Sequence, residues 1–313
     1  MKRACLALDV GGTKIAAALI DADGAILAGA RRPTGAAMGA GHVLTVMAGC
    51  LDELAGPAGQ YALAGIGISA AGVIDPLHAR VLDATDAIPG WKDQALGAWF
   101  NARYQLPVWA DNDVNCALLG ELWRNPVLHG SGSGASVAML TLGTGLGGAL
   151  AHDGRILPGR HFSAGHFGRA LVWDGFSGAL QPVESLVSGT ALARMYRRTG
   201  QPGGQGADGA DVMARAAAGE PRAVAALDTW LDHLALQLHN LYWSFDPDLV
   251  LIGGGVIDSR DLWWDALQQR IDAYKVNLRL APAALGGDAG LVGAARLVWN
   301  AGAKKVNIAG SIA

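Results

Sequence analysis

Two short Gly- and Thr-rich segments carry residue types that bind phosphate. The first, GGTK at 11–14, follows the acid Asp9, and the second, GTGLGG at 143–148, follows an apolar run. Glycine lets backbone N–H groups approach a ligand closely, and a concave set of such donors binds phosphate oxygens. The polar side chains in these loops are Thr13, Lys14 and Thr144. The pattern indicates phosphate binding, and a tight turn without a ligand is the alternative for either loop alone.

A second candidate for chemistry lies where a strand gives way to a helix. Val108–Ala110 is expected to end a strand, and helical periodicity begins at Asn115. Asp111, Asn112 and Asp113 therefore lie at the edge where open α/β folds bind ligands. A carboxylate within hydrogen-bond reach of a bound hydroxyl can accept its proton. The alternative is that Asp111 and Asp113 only cap the helix.

The two Gly-rich loops belong to one pattern that occurs twice. Each copy is an apolar run, the loop, a second apolar run, an Asp-Gly turn and a third run. The strands predicted from the two copies are Leu6–Val10, Ile15–Ile20 and Ala25–Ala28, then Val137–Leu142, Ala149–Ala151 and Arg155–Leu157. Asp-Gly between apolar runs is a strong hairpin signal because both turn positions need positive φ. A strand after each loop, instead of a helix, argues against a P-loop or Rossmann fold.

The composition favours two globular domains and excludes several classes. The chain has 313 residues, of which 51% are hydrophobic, and its net charge of −3 gives no electrostatic case for nucleic acid. Gly, Pro or a charge interrupts every apolar stretch before it could cross a bilayer, and the first run stops at Asp9, too early for a secretory signal. Three scattered cysteines fit reduced thiols in a cytoplasmic protein. The ten Trp residues are interpreted as packing residues.

Several further motifs, in order along nearly the whole chain, resemble the ROK family (repressors, open reading frames and kinases) of the actin-like sugar kinases. They include SAAGVID from Ser69, IPGW from Ile88, ADNDVNCALLGE from Ala110, VESLVSGTAL from Val183 and DPDLVLIGGGV from Asp246. The resemblance implies an α/β fold of two actin-like (ribonuclease H-like) domains, with mixed sheets flanked by helices and a nucleotide and sugar cleft between them. We expect the N-terminal domain at 1–116, joined by a C-terminal helix at about 289–303, and the C-terminal domain at 117–288.

The resemblance also implies an activity. It is that of an ATP-dependent kinase that transfers the γ-phosphate to a hydroxyl of a hexose or N-acetylhexosamine, of the N-acetylmannosamine or glucose type. Asp113 is then the general base, and Asp9 holds Mg²⁺ through water, with a turn-stabilising role as the alternative for Asp9. The residues expected to bind the nucleotide are Asp9, Gly11, Gly12, Thr13, Lys14, Gly143, Thr144, Gly145, Gly254 and Gly255.

The chain departs from the family at the segment where the family binds a structural zinc. The family motif is Gly-Glu-x-Gly-His followed by C-x-C-G-x-x-G-C and a Glu, and the His and Cys residues bind the metal. Here the first motif reads Gly-His-Phe-Gly-Arg at 165–169, and the stretch from Ala170 to Glu184 contains no Cys. We expect no zinc, because a tetrahedral site needs four ligands and they are missing together. Apolar packing is expected in its place, around Leu171, Trp173, Phe176 and Leu180.

The same departures alter the expected sugar site. The residues expected to bind sugar are Asn112, His166, Arg169, Glu184, Gly72 and Asp86. His166 and Arg169 stand where the family has Glu and His, and Asp86 lies beside Ala87, which replaces a family Asn. Arg169 either favours an acidic or N-acylated sugar or is paired with Glu184 or exposed.

The resemblance leaves two other classes to weigh. Because the sugar positions are altered, a non-catalytic sugar- or nucleotide-binding sensor of the same fold is the alternative, and retention of Asp113 favours the kinase. Repressors of the family carry a winged helix-turn-helix before the first Gly-rich loop. We expect none here, because only about five residues precede the strand that leads into this loop. The expected partners are a small-molecule sugar and a second copy in a homodimer, with no nucleic acid and no membrane.

Overall fold

The computed structural model describes residues 1–125, 128, 134–198 and 206–308, with side chains through 301. The chain divides into two compact units. The first comprises Met1–Ser131, Pro158–Ser163 and Ala284–Ala313, and the second comprises Gly132–Leu157 and Ala164–Ala283. The functional domain limits expected at 116 and 288 stay a prediction.

The strands of the described residues are numbered in chain order. They are β1 Lys2–Val10, β2 Lys14–Asp21, β3 Ile26–Pro33, β4 Tyr61–Ala70, β5 Val73–Asp75, β6 Arg80–Asp83, β7 Val108–Asn112, β8 Ser136–Leu142, β9 Leu146–His152, β10 Arg155–Ile156, β11 Leu171–Asp174, β12 Ala179–Pro182, β13 Leu249–Gly253 and β14 Leu280–Pro282. The α-helices are α1 Ala40–Glu53, α2 Ala55–Ala58, α3 Leu96–Tyr104, α4 Asp113–Arg124, α5 Gly189–Arg198, α6 Gly209–Ala217, α7 Pro221–Phe245, α8 Trp264–Ala273 and α9 Ala289–Ile308.

Each unit contains one five-stranded mixed sheet, and the two sheets have the same topology. The strand orders are β3-β2-β1-β4-β7 and β10-β9-β8-β13-β14. In each sheet the first three strands pair antiparallel, and the last two add in parallel. The prediction of a duplicated α/β fold with mixed sheets flanked by helices is confirmed.

The two Asp-Gly turns differ in conformation. Asp153 and Gly154 both have positive φ, at 50° and 70°, as the hairpin prediction requires. In the first copy only Gly24 has positive φ, and the Asp21 carboxylate accepts the N–H groups of Asp23 and Ala25. The expectation of two positive φ angles is therefore wrong for the first turn, which is closed by a side chain.

The second Gly-rich loop is shorter than its sequence suggests, because Gly147 and Gly148 lie within β9. A Cβ added at Gly148 would lie 2.5 Å from the Gly165 carbonyl oxygen and 2.4 Å from the Phe167 ring. Gly148 therefore serves the packing of the 165–167 segment over the strand.

In the first unit, α9 packs directly against the sheet and against α4. A Cβ added at Gly67 on β4 would lie 1.9 Å from the Ala294 carbonyl oxygen. One added at Gly293 on α9 would lie 1.6 Å from the Cys116 carbonyl oxygen of α4. The backbones are in contact at these points, so only glycine fits.

In the second unit, α7 buries one apolar face. Leu231, Leu234, Leu238 and Leu241 are buried, and Trp230 of the same helix is fully buried. The interpretation of the Trp residues as packing residues also holds for the buried Trp91 and Trp263. Core packing does not account for Trp173 and Trp243, which are 60% and 71% exposed.

Across the part of the chain that the structure describes, no helix combines the length and the apolar character needed to cross a bilayer.

The contact between α9 and α4 makes a testable prediction. Gly293→Ala places a methyl group where the Cys116 carbonyl lies, so the helices must separate, and we expect a loss of roughly 1–3 kcal/mol in the free energy of unfolding. The matched control is Gly56→Ala, since a Cβ at Gly56 meets nothing within 4 Å. Urea denaturation of both variants measures the difference, and equal stability of the two variants would contradict the close approach.

Candidate active site

The first candidate site lies at the carboxyl ends of three parallel strands in the first unit. Asp9 of β1 is in register with Ser69 of β4, and Ser69 is in register with Asp111 of β7. The Ser69 hydroxyl donates to Asp9 Oδ1 at 2.6 Å. Because parallel strands end at one edge, polar residues far apart in sequence become neighbours there.

Asn112 begins the helix that follows β7. Its Oδ1 accepts the N–H groups of Val114 at 2.9 Å and Asn115 at 3.2 Å, and its Nδ2 donates to the Gly72 carbonyl at 2.9 Å and to Asp113 Oδ1 at 2.8 Å. The N-cap of α4 is thus Asn112. The alternative that Asp111 and Asp113 only cap the helix is wrong.

Asp111 supports this junction from inside. It is buried, and its Oδ1 accepts the Asn112 N–H at 2.7 Å and the Asn115 Nδ2 at 2.8 Å. The supporting roles of Asn115 and Ser69 were not predicted from the sequence. The signal was present, because both are polar residues in otherwise apolar segments.

The acids of this site hold protons more tightly than ordinary carboxyl groups. Burial raises the pKa of Asp111 to about 6. Burial, and then the negative charge of Asp9, raise the pKa of Asp113 to about 6. Burial also raises the pKa of Asp9, although the hydrogen bond from Ser69 opposes it. A carboxylate whose pKa lies near neutrality is suited to general base catalysis.

The first Gly-rich loop is fastened at its base and exposed at its tip. The Gly11 N–H donates to the Lys14 carbonyl at 3.1 Å, and the buried Thr34 holds the loop through its hydroxyl to the Gly11 carbonyl at 2.7 Å and its N–H to the Thr13 carbonyl at 3.0 Å. Gly12, Thr13 and Lys14 are exposed. Their amides, hydroxyl and ammonium group fit a phosphate ligand. The role of Thr34 was not predicted from the sequence.

Asp9 lies against the beginning of α9. A Cβ added at Gly290 would lie 2.5 Å from Asp9 Oδ1. The positive end of the helix dipole stabilises a carboxylate there. Mg²⁺ is held by one or two carboxylates with waters and phosphates, so the residues at this edge, Asp9 above all, fit that ion.

The second unit carries the second Gly-rich loop. The Gly143 N–H donates to the Gly145 carbonyl at 3.0 Å, and the Gly143 carbonyl accepts the Gly189 N–H at 2.7 Å. Thr144 is exposed at the tip. Gly254 has φ 84°, and a Cβ there would lie 2.4 Å from the Leu142 carbonyl oxygen, so this turn packs directly beside the loop. Gly255 follows it and is exposed, with nothing within 4 Å of its Cβ position.

Glu184 contacts this loop. Its Oε2 accepts the Leu146 N–H at 3.0 Å, and a Cβ added at Gly145 would lie 2.2 Å from the same oxygen. A Cβ at Gly168 would lie 3.3 Å from Glu184 Cβ, so the 165–169 turn and Glu184 are neighbours. His166 is half-buried at the start of this turn, and Arg169 is exposed at its end. The structure thus brings three of the expected sugar residues into one region of the second unit.

The other three expected sugar residues, Asn112, Gly72 and Asp86, lie in the first unit. Gly72 has φ 107°, its carbonyl accepts the Asn112 amide, and a Cβ there would lie 2.5 Å from the Asp83 carbonyl oxygen. Asp86 is exposed in the turn that follows β6. Gly72 is therefore tied to the acid cluster by a hydrogen bond.

The residues between Arg169 and Glu184 do not fit a zinc ion. Their one acid, Asp174, is buried and accepts the Phe176 N–H at 3.0 Å. Among the residues that the structure describes, no group of three or more His, Cys, Asp or Glu side chains could hold a metal ion. The absence of zinc stays a prediction for measurement.

The expected apolar packing in place of zinc is wrong. Leu171, Trp173, Phe176 and Leu180 are 60–73% exposed. Trp173 and Leu180 are directly opposite each other in the β11–β12 hairpin, and Leu171 lies two residues from Trp173, so these three share one face. That face points away from the core, and the sequence pattern of alternating apolar residues did not reveal which face was buried.

The duplicated sheet and its Gly-rich loops define a protein of the actin-like class. The ROK family model matches residues 5–301, so the chain belongs to the ROK family. The beta-glucoside kinase of Klebsiella pneumoniae is 32% identical over 92% of this chain and 93% of its own length. The N-acetyl-D-glucosamine kinase of Yersinia pseudotuberculosis is 31% identical over 92% of this chain and 97% of its own.

A solved relative shows the same fold with ligands. The structure of a ROK family glucokinase from Streptomyces griseus, in complex with glucose and AMPPNP, is 30% identical, and its TM-score is 0.78 over 94% of this chain and 98% of that chain. The resemblance to the ROK family is therefore confirmed.

The buried acids make stability depend on pH. Asp111 binds its proton more tightly in the folded chain, with a pKa of about 6, than in the unfolded chain, near 3.8. Folding therefore loses free energy as the pH rises from about 4 to about 6. Asp111→Asn keeps an acceptor oxygen without the charge, so at pH 7.5 we expect it to raise the free energy of unfolding by about 1–3 kcal/mol.

Urea denaturation at pH 7.5 and pH 4 measures this effect. At pH 4 the gain should shrink to less than about 1 kcal/mol, because Asp111 is then protonated in the folded protein and about half protonated in the unfolded chain. Asp261→Asn, at a side chain 96% exposed, is the control and should change stability at neither pH. If Asp111→Asn destabilises equally at both pH values, then its hydrogen bonds outweigh its desolvation.

Proposed function

We propose that this chain is an ATP-dependent sugar kinase with Asp113 as its general base. The observation that carries the proposal is the half-buried Asp113 carboxylate, whose pKa is raised to about 6, at the strand ends beside Asp9. The relatives named above act on glucose, glucosides and N-acetylglucosamine, which supports a hexose or N-acetylhexosamine as the acceptor.

In this proposal Asp113 accepts the proton of the sugar hydroxyl as that oxygen attacks the γ-phosphorus. Phosphoryl transfer needs little covalent help from the protein, so placement of the hydroxyl and neutralisation of charge decide the rate. Asn112 orients Asp113 through the 2.8 Å bond from its Nδ2. Both ends of the Asn112 amide already have partners, so contact with a sugar would have to share or exchange one of these bonds.

The nucleotide would be held by the two Gly-rich loops and by Mg²⁺. Lys14 and the amides of Gly12 and Thr13 would bind phosphate oxygens in the first unit, and Thr144 and its flanking glycines would do so in the second. Asp9 would hold Mg²⁺, through water, and the ion would neutralise phosphate charge when bound. A homodimer, which rests on the resemblance, and a cytoplasmic location, which rests on the three scattered cysteines, are further parts of the proposal.

The second candidate is a sugar- or nucleotide-binding sensor without turnover. The observation that favours it is the exchange of family residues at His166 and Arg169. The retained Asp113 favours the kinase, since a sensor needs no base with a raised pKa.

The first test is ADP release with Mg²⁺-ATP against hexoses, N-acetylhexosamines, sugar acids and polyols. Turnover of one sugar should fall by roughly 10²- to 10⁴-fold in Asp113→Asn, because the substituted side chain cannot take the proton. Binding of a non-hydrolysable nucleotide to that variant should be unchanged and serves as its control. Sugar binding without turnover in the unaltered chain would support the sensor instead.

The pKa of Asp113 predicts the acid limb of the activity. The base acts only when ionised, so kcat/KM should fall about tenfold per pH unit below about pH 6. The pH–rate profile with the best sugar measures this limb. An apparent pKa near 4 would contradict a base whose pKa is raised by partial burial and by the neighbouring Asp9.

A further inference from the structure

The β11–β12 hairpin connects the two segments that carry the expected sugar residues of the second unit. The His166–Arg169 turn leads into β11, and β12 leads directly into Glu184. At the base of the hairpin the Val183 N–H donates to the Ala170 carbonyl at 2.8 Å. The position of the hairpin therefore sets the spacing of the turn and Glu184.

Apolar burial contributes little to holding this hairpin. Its outer face, Leu171, Trp173 and Leu180, is exposed. Beneath its tip lies an open cavity of about 420 Å³, lined by Phe176, Leu186, Met195, Arg198, Ala226 and His233 among others. Val172 alone of its large apolar residues packs on the core of the unit, and it is only partly buried. A two-stranded hairpin is marginally stable by itself, so another contact must fix it.

Polar contacts supply that fixation at Asp174, the last residue of β11. Asp174 is 3% exposed, and its Oδ1 accepts the Phe176 N–H at 3.0 Å. Its Oδ2 lies 3.7 Å from Nη1 of Arg198, the last residue of α5. The Arg198 guanidinium lies over the Phe176 ring, 4.3 Å from its centroid. One arginine thus contacts both the acid and the aromatic ring of the tip.

The charges around Asp174 reinforce this arrangement. Burial opposes ionisation of Asp174, but hydrogen bonds from Ser177 and the Phe176 N–H, and the charge of Arg198, bring its pKa below the usual value. Arg194, one turn earlier on α5, and His233 on α7 also face this carboxylate. The acid therefore stays charged at neutral pH and attracts the helix that carries the two arginines.

We propose that Asp174, Arg198 and Phe176 form a metal-free clamp that fixes the hairpin on α5 and so positions His166, Arg169 and Glu184 for the sugar. The clamp residues are positioning residues. The part of the proposal that concerns sugar rests on the proposed function, whereas the clamp itself does not. In a family whose members hold this segment with zinc, the chain would use an ion pair and an aromatic contact.

Hydrogen–deuterium exchange of the full chain tests the clamp without any substrate. Asp174→Ala and Arg198→Met should each speed exchange of the amides at 171–182 by roughly tenfold, with other segments unchanged. The double variant should exchange no faster than the faster single variant, because both remove one contact. Leu180→Ser, on the exposed face of the same hairpin, is the matched control and should exchange like the unaltered chain.

Kinetics test the positioning of sugar residues. Asp174→Ala should raise the KM for sugar roughly tenfold while the KM for ATP changes less than about twofold, since a displaced pocket weakens only its own ligand. Asp174→Asn keeps the acceptor for the Phe176 N–H and should raise the KM for sugar by a smaller factor. This variant replaces Asp174→Ala in the test if the alanine variant does not fold. Equal rises in both KM values would indicate a general loss of structure and overturn the positioning role.

Metal analysis completes the test. The purified chain should contain far less than one zinc per molecule, and EDTA should leave exchange at 171–182 unchanged. One zinc per chain with faster exchange after EDTA would overturn the clamp, and so would unchanged exchange in Asp174→Ala. If no sugar is turned over by the unaltered chain, the proposed function fails, and the exchange data still decide whether the clamp exists.

Discussion

The first unit depends on the direct contact of the α9 backbone with β4 and α4. At Gly67 and Gly293 the approach leaves no room for a methyl group. This contact brings the beginning of α9 to Asp9 and holds α4 over the sheet. Any separation of the helices would move Asp9 relative to Asp113, so the backbone contact fixes the acids before their chemistry begins.

The acid cluster shows how the fold and the chemistry oppose each other. Placing Asp111 and Asp113 at this sheet edge raises their pKa values to about 6, so both side chains ionise less easily in the folded protein than in the unfolded chain. The fold offsets this cost with directed hydrogen bonds, from Ser69 to Asp9 and from Asn112 and Asn115 to the two other acids. The raised pKa of Asp113 is what a base that acts near neutral pH requires. At neutral pH the free energy of unfolding is therefore lower than it would be with uncharged side chains at these positions.

Much of this arrangement could be predicted from the sequence. The repeated loop and Asp-Gly turn indicated two related sheets, and the strand that ends before Asp111 placed the acids at a sheet edge. The N-cap was harder, because Asp111, Asn112 and Asp113 are all good capping residues. The choice of Asn112 depends on the Gly72 carbonyl, 40 residues away, which accepts its amide. Thr34 was missed for the same reason, since its contacts with Gly11 and Thr13 are visible only in the folded sheet.

The β11–β12 hairpin shows where sequence patterns mislead. Its alternating apolar residues resemble a buried strand, yet the face with Trp173 and Leu180 is exposed and the buried position is the acid Asp174. Alternation indicates two faces but does not say which one meets the core. The partner that makes Asp174 favourable, Arg198, lies on a helix that no local pattern connects with the hairpin.

The most direct test of the central claim is a crystal structure of Asp113→Asn bound to a non-hydrolysable ATP analogue and to a sugar that the unaltered chain phosphorylates. The account predicts that the side-chain oxygen at position 113 lies within about 3.2 Å of one sugar hydroxyl, the one that is phosphorylated, in line with the γ-phosphorus. A sugar whose reactive hydroxyl lies well beyond hydrogen-bond distance of position 113, with another acid beside it, would contradict the role of Asp113.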